Sequence, residues 1–217
     1  MIEILTNFEA ADRLPHPRYD RAFLALVTAK REMGKTTLLQ RYIQQREPRL
    51  FMLDPHNDFP NVPQYESAED AIRYLMSVSG ESVAAWARVV PPWSSVDDDA
   101  GDDSFTYGEH VFALVNEYLR NCLCIYNEAT LWMPQILPRL HPLKKQITQG
   151  RRIGIKHIID TQRFQLLPDI MRSEGTHLVA GRTTRYRDRQ VISQETTPEV
   201  GEIVGTLEKG QFVLVEL

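Results

Sequence analysis

The chain has few of the residues that staple or anchor a protein. Its 217 residues include two cysteines, too few for a disulfide-stapled miniprotein. Cys122 and Cys124 lie two apart in an apolar run. On a strand they share a face, which makes a poor disulfide, and a C-x-C without partner ligands makes a poor metal site. Buried, reduced thiols in a reducing compartment are the expectation. No uncharged apolar run approaches the roughly 20 residues of a bilayer crossing, so no membrane insertion is expected. Met1-Ile2-Glu3-Ile4-Leu5 also lacks the basic start of a signal peptide. Repeats and low-complexity tracts are missing. Apolar residues at 42% and charged residues at 25% exclude wholesale disorder. The length suits one domain with modest decoration.

Net positive charge is missing overall, at −4, yet the distribution is uneven. Arg139 to Arg189 holds twelve Lys/Arg against four Asp/Glu, whereas Asp97 to Glu109 holds six acids and no base. A basic face toward nucleic acid and an ordinary solvated surface both fit that excess.

Residues 1–21, interrupted by Pro15 and Pro17, read as a lead-in segment, and 22–217 as one domain. Apolar runs predict strands at 23–27, 49–53, 86–90, 122–126, 153–159, 178–181 and 212–215. Helical spacing predicts helices at 36–45, 66–79, 109–120 and 140–150, with an acidic loop at 94–104. Strands buried on both faces and alternating with helices imply an α/β fold with a mainly parallel sheet and helices on both faces. Ligands in such sheets bind at the carboxyl ends of strands.

Ala29-Lys30-Arg31-Glu32-Met33-Gly34-Lys35-Thr36, followed by Thr37, resembles the Walker A pattern with alanine for the first glycine. A buried strand precedes it and a helix follows. Gly34 lets the backbone curl so that N–H groups face phosphates, Lys35 can reach the β- and γ-phosphates of ATP, and the Thr36 hydroxyl can ligate Mg2+. Ala29 is tolerable if its φ is negative.

A second acidic site is expected at the end of a neighbouring strand, and Leu123-Cys124-Ile125-Tyr126-Asn127-Glu128 has that form. Glu128 is placed to orient or deprotonate an attacking water, or to cap the next helix. Asn127 stands where such motifs carry Asp, so its pull on a Mg2+-bound water is weaker. Asp54-Pro55-His56-Asn57, after another strand, reads as facing the nucleotide, facing DNA, or starting a turn. The strand running into Thr161-Gln162-Arg163 offers Gln162 as a γ-phosphate sensor.

These motifs together, with Arg151-Arg152-Ile153-Gly154-Ile155 ahead of Thr161-Gln162-Arg163, resemble the FtsK–HerA superfamily of DNA-pumping ATPases. The order of elements fits over residues 22–217. Small size and the Arg-rich C-terminal third look most like the genome-packaging ATPases of tailless, membrane-containing double-stranded DNA viruses. The resemblance implies a RecA-like P-loop core in a homo-oligomeric ring, hexamer or pentamer, with ATP between subunits and dsDNA in the pore. It implies an arginine reaching the neighbour's nucleotide, by position Arg151 with Arg152 as fallback. It also implies capsid vertex proteins as partners, and the virion packaging vertex and host cytoplasm as locations. A translocase grips phosphates rather than base edges; Lys144, Lys145, Arg182, Arg185, Arg187 and Arg189 are the candidates. Other readings are an ATPase for virion assembly or export, a non-hydrolysing nucleotide-binding structural protein, which Ala29 and Asn127 favour, and a small-molecule kinase, for which Thr161-Gln162-Arg163 has no use.

Overall fold

Short apolar strands that are buried on both faces need helices above and below them, and the chain is built that way. The computed structural model describes residues 2–18, 22–78, 84–91 and 101–217, without the side chains of Asp102 and Arg151. In chain order the strands are β1 (Ile4–Thr6), β2 (Leu24–Thr28), β3 (Arg49–Leu53), β4 (Gln64–Tyr65), β5 (Ala85–Val89), β6 (Leu123–Tyr126), β7 (Lys156–Thr161), β8 (His177–Gly181) and β9 (Gln211–Glu216). The helices are α1 (Asn7–Arg13), α2 (Lys35–Arg46), α3 (Ala68–Ser77), α4 (Gly101–Tyr118), α5 (Pro142–Gln149), α6 (Asp169–Ser173), α7 (Tyr186–Glu195) and α8 (Pro198–Ile203).

Among the described residues the strands form one sheet in the order β1-β9-β8-β2-β7-β6-β3-β5-β4. Pairing is parallel from β8 through β4. It is antiparallel only where β9 joins β8 and where β1 joins β9. The α/β fold with a mainly parallel sheet and helices on both faces is therefore the observed architecture. One face packs Ala25, Val27, Met52, Ile125 and Ile158 against Leu38, Leu39, Tyr42 and Ile43 of α2 and Ala10 and Ala11 of α1. The other packs Leu26, Phe51, Tyr126 and Ile159 against α3, α4, α5 and the C-terminal helices. The cysteines are free and buried, and burial pushes the Cys124 thiol well above its usual range.

Several boundaries differ from the sequence reading. The fifth strand expected, at 153–159, lies at 156–161, because Gly150–Ile153 forms a 3-10 turn and Gly154 takes φ 73°. Of the expected loop at 94–104, residues 94–100 lie outside the described residues, and 101–104 begin α4. Ser104 anchors that end by donating to the Leu131 carbonyl at 2.9 Å. Of the basic segment after β8, residues 186–189 are helical in α7 and 182–185 are not.

The segment read as a lead-in holds β1 and α1. A capping box starts α1: the Glu9 N–H donates to Thr6 Oγ1 at 3.2 Å, and the Thr6 N–H donates to Glu9 Oε2 at 2.8 Å. Leu5 and Leu14 are buried, the Tyr42 hydroxyl donates to the Pro15 carbonyl, and Arg46 Nη2 donates to the Asp12 carbonyl at 2.7 Å. Deleting residues 2–14 is expected to cost about 3–6 kcal/mol of unfolding free energy from Leu5 and Leu14 alone. Urea unfolding of the truncated and full chains checks this, and an unchanged midpoint would show the segment to be dispensable.

Candidate functional site

The loop between β2 and α2 is held by backbone bonds at three places. The Ala29 N–H donates to the Thr161 carbonyl at 3.4 Å, the Lys30 N–H to the Arg182 carbonyl at 2.8 Å, and the Gly210 N–H to the Met33 carbonyl at 3.1 Å. Glu32 at φ 64° and Gly34 at φ 96° turn the chain through the left-handed region, while Ala29 is not at positive φ. Alanine therefore serves where the pattern usually has glycine. Ala29 is buried against Gly181, where an added Cβ would come within 2.8 Å of the Ala29 Cβ. Gly34 gives α2 no side-chain cap, so the first-turn N–H groups of a twelve-residue helix stay free for an anion. They open onto a cavity of about 550 Å³ lined by Lys30, Arg31, Glu32, Met33, Gly34, Lys35, Thr36 and Thr37. Across from them stand His56, Asp58, Glu128, Gln162 and Lys209.

Strand register sets the far wall. Leu53 pairs with Tyr126 and Tyr126 with Ile159, so Asp54, Asn127 and Asp160 form the next row across β3, β6 and β7. Tyr126 and Ile159 face the α3–α5 side, so this row faces α2. Lys35, 7% exposed, reaches into it. Its Nζ donates to the Ala29 carbonyl at 3.2 Å and lies 3.6 Å from both Glu128 Oε1 and Asp160 Oδ1. Gln162 Nε2 donates to the same Glu128 oxygen at 2.7 Å. Burial pushes the Asp160 carboxyl up to about 7 against the pull of Lys35, and the neighbouring Glu128 charge adds to the rise.

Glu128 does not cap the 3-10 turn that follows it. Its backbone stands at φ 49°, an uncommon conformation for a non-glycine residue. Buried Trp132 holds it there, its Nε1 donating to the Glu128 and Asn127 carbonyls at 3.0 and 3.2 Å. Asn127 is 1% exposed and commits its amide N–H groups, donating to Asp54 Oδ1 at 3.0 Å and Asp58 Oδ2 at 3.3 Å.

Asp54 faces neither nucleotide nor DNA. Fully buried, it accepts from the Phe59 N–H at 3.0 Å and pairs with Arg88 Nη1 at 3.1 Å. Arg88 in turn donates to the Val62 carbonyl, Asn57 Oδ1 and Gln64 Oε1. This knot fixes the loop that carries His56 and Asp58 to the cavity.

Arg151 and Arg152 sit in the turn before β7, whereas Gln162 follows its other end. Six residues at about 3.3 Å each separate the ends by about 20 Å, so neither arginine belongs to its own chain's cavity. Arg152 is exposed, and the Arg151 side chain lies outside the described residues. A second cavity of about 540 Å³ shares Lys30, Arg31, Glu128 and Gln162 with the first and adds Arg163, Thr183, Thr184 and Arg185. Arg163 Nε lies 3.6 Å from buried Asp188 in the first turn of α7. Arg182, Arg185 and Arg187 are exposed, Arg185 lining the second cavity, and Arg189 is half-buried, while Lys144 and Lys145 ride on α5 outside both cavities. The sequence reading missed Asp58, Asp160 and Lys209. Asp160 carried a signal, an acid inside the apolar run Ile158-Ile159-Asp160; Lys209 carried none, since only the fold brings the turn before β9 to the loop.

No protein-family model matches the chain, and no curated protein does. Solved structures match its fold. The genome-packaging NTPase B204 from Sulfolobus turreted icosahedral virus 2, in complex with AMPPCP, superposes with a TM-score of 0.68 at 17% identity, over 91% of this chain and 93% of that one. B204, the DNA-packaging ATPase from Sulfolobus turreted icosahedral virus, gives 0.65 at 17%, over 93% and 94%. VirB4 of Thermoanaerobacter pseudethanolicus gives 0.63 at 9%, over 89% and 88%. The chain shares the fold of these solved structures.

Asp54→Ala leaves the Arg88 charge buried and unpaired, and is expected to lower the unfolding free energy by about 3–5 kcal/mol in urea titrations. A loss below about 1 kcal/mol would mean the knot does not organise this wall.

Proposed function

We propose that the chain is an ATPase that moves double-stranded DNA, working in a homo-oligomeric ring to package a viral genome at a capsid vertex. The observation that carries the reading is the convergence of Lys35, Glu128 and Gln162 on one cavity at the free N-terminus of α2. The B204 structures, named as genome-packaging and DNA-packaging enzymes, support the biological assignment at the level of fold.

The backbone from Lys30 to Thr37 binds the phosphates, with Lys35 leaving its carboxylate partners for the β- and γ-phosphates. That move frees Glu128 to accept a proton from a water, with Gln162 orienting its carboxylate. Gln162 is also placed to register the γ-phosphate and its loss. The Mg2+ of the nucleotide supplies charge neutralisation on the phosphates. Hard oxygen donors on this wall suit it: the half-buried Thr36 hydroxyl is the direct candidate, and Asn127 offers only a neutral amide oxygen, its N–H groups being committed to Asp54 and Asp58.

Arg151, with Arg152 as fallback, acts in trans on the neighbour's triphosphate, because it stands at the wrong end of β7 to act in cis. Such an arginine stabilises charge on the transferring phosphoryl group only in the assembled ring. Arg182, Arg185 and Arg187 take the DNA phosphates, and the Lys30–Arg182 backbone bond ties that segment to the nucleotide loop.

Phosphate release with and without dsDNA tests this. Wild type is expected to hydrolyse ATP faster with DNA. Lys35→Ala is expected to lose binding or turnover, Glu128→Gln to keep ATP while losing at least about a hundredfold in rate, and Arg151→Ala to keep ATP binding without activity. Wild-type rates in the Lys35→Ala and Glu128→Gln proteins would overturn the enzyme reading. ATP retained without turnover by the wild type, with or without DNA, would select the non-hydrolysing alternative.

A further inference from the structure

The row at the carboxyl end of the sheet has a carboxylate where the proposed mechanism does not use one. Asp54 is consumed by Arg88, the Phe59 N–H and the Asn127 amide. At Asn127, β6 carries an amide because two carboxylates, Asp54 and Asp58, need its N–H groups; an aspartate there would meet like charge from both. The next place along the row is Asp160 on β7. It is 2% exposed, its Oδ1 accepts no hydrogen bond, and that oxygen lies 3.6 Å from Lys35 Nζ. A buried carboxylate aimed at the lysine of a phosphate cradle raises a difficulty. Once Lys35 turns to a nucleotide, Asp160 loses its counter-charge and faces a polyanion in a poorly solvated wall.

Resting on the nucleotide-binding reading above, we infer that Asp160 is a positioning residue for Lys35 that makes nucleotide entry depend on a cation. Together with Glu128, it holds the ammonium in place while the cradle is open. It competes with phosphate for Lys35 and repels a bare triphosphate, so the triphosphate is admitted together with its Mg2+. The charge that a bound metal would supply offsets what Asp160 loses when the lysine departs. Glu128, buried at the cavity wall, has Gln162 as a second partner to fall back on; the ion pair of Asp160 is with Lys35. Asp160 thus sets the terms of binding and takes no part in bond breaking.

The test is the dissociation constant of a fluorescent, non-hydrolysable ATP analogue, measured with the full chain at a pH of about 8.5, where the Asp160 carboxyl, pushed up to about 7 by burial, is ionised, in EDTA and in excess Mg2+. The wild type is expected to bind at least about tenfold more tightly with Mg2+. Asp160→Asn, of nearly the same shape and without the charge, is expected to tighten EDTA binding about tenfold, the size of removing one like charge at close range. Its Mg2+ value should stay within about threefold, so the metal dependence collapses. Far-UV circular dichroism and melting temperature establish that the variant is folded, with Asp160→Ser as a second neutral replacement. Unchanged or weaker EDTA binding in both folded variants overturns the inference, as does loss of the metal dependence in Asp58→Asn with Asp160→Asn unaffected. A wild type that binds no analogue in either buffer defeats the nucleotide reading itself, and one that binds equally in both buffers defeats only the role of Asp160.

Discussion

One ammonium between two buried carboxylates organises the carboxyl end of this sheet. Lys35 comes from the first turn of α2, Glu128 follows β6 and Asp160 lies near the end of β7, so three elements meet at one charge. At about 4 Å and a near-surface effective dielectric, each such pair is worth a few kcal/mol before desolvation is subtracted, and burial takes back much of that. The grouping is therefore poised rather than locked. A ligand that offers Lys35 better oxygens can take it without unfolding the wall behind it.

That wall is stiff for a different reason. The Asp54–Arg88 knot, the Asn127 amide and the Trp132 indole leave few free donors in the segment that aims Glu128. Backbone bonds from Met33 to Gly210 and from Lys30 to Arg182 tie the loop itself to the turn before β9 and to the end of β8. A soft charge on a rigid frame suits a site whose ligand changes charge during its cycle: the frame keeps the oxygens in register while Lys35 exchanges partners.

Much of this was readable without the fold, and the rest was not, for physical reasons. Local features spoke for themselves: the loop at 29–36 flanked by an apolar strand and a helix, the strand running into Asn127-Glu128, and Gln162 after β7. Each is a short-range pattern in which residue type and neighbour suffice. Thr6-x-x-Glu9 was equally local, and its capping-box meaning went unread. The role of Asp54 was open among three readings because its partner, Arg88, lies 34 positions away, and sequence spacing says nothing about that pair. Asp160 was passed over for the same reason: on a strand it is one acid in an apolar run, and only register beside Val27 and behind Lys35 gives it a task. The antiparallel edge made by β9 and β1 was invisible because their apolar residues fit either pairing direction.

The geometry also bears on why a single copy leaves the proposed chemistry incomplete. Among the described residues, the cations on the nucleotide cavity are Lys30, Arg31, Lys35 and Lys209. Lys30 and Arg31 are exposed loop residues, Lys35 is occupied by two acids, and Lys209 arrives on a turn. None of these four is an arginine held by an acid; Arg163, which Asp188 holds, lines the adjoining cavity with Glu128 and Gln162. The Arg151-Arg152 pair is carried on a turn braced by the Asn121 N–H bond to the Ile153 carbonyl at 3.0 Å, yet it stands a whole strand length from its own cavity. Under the proposed reading, a second copy that set this turn against the opening shared by the two cavities would bring an arginine toward Glu128 and Gln162. On that reading assembly and turnover are one event.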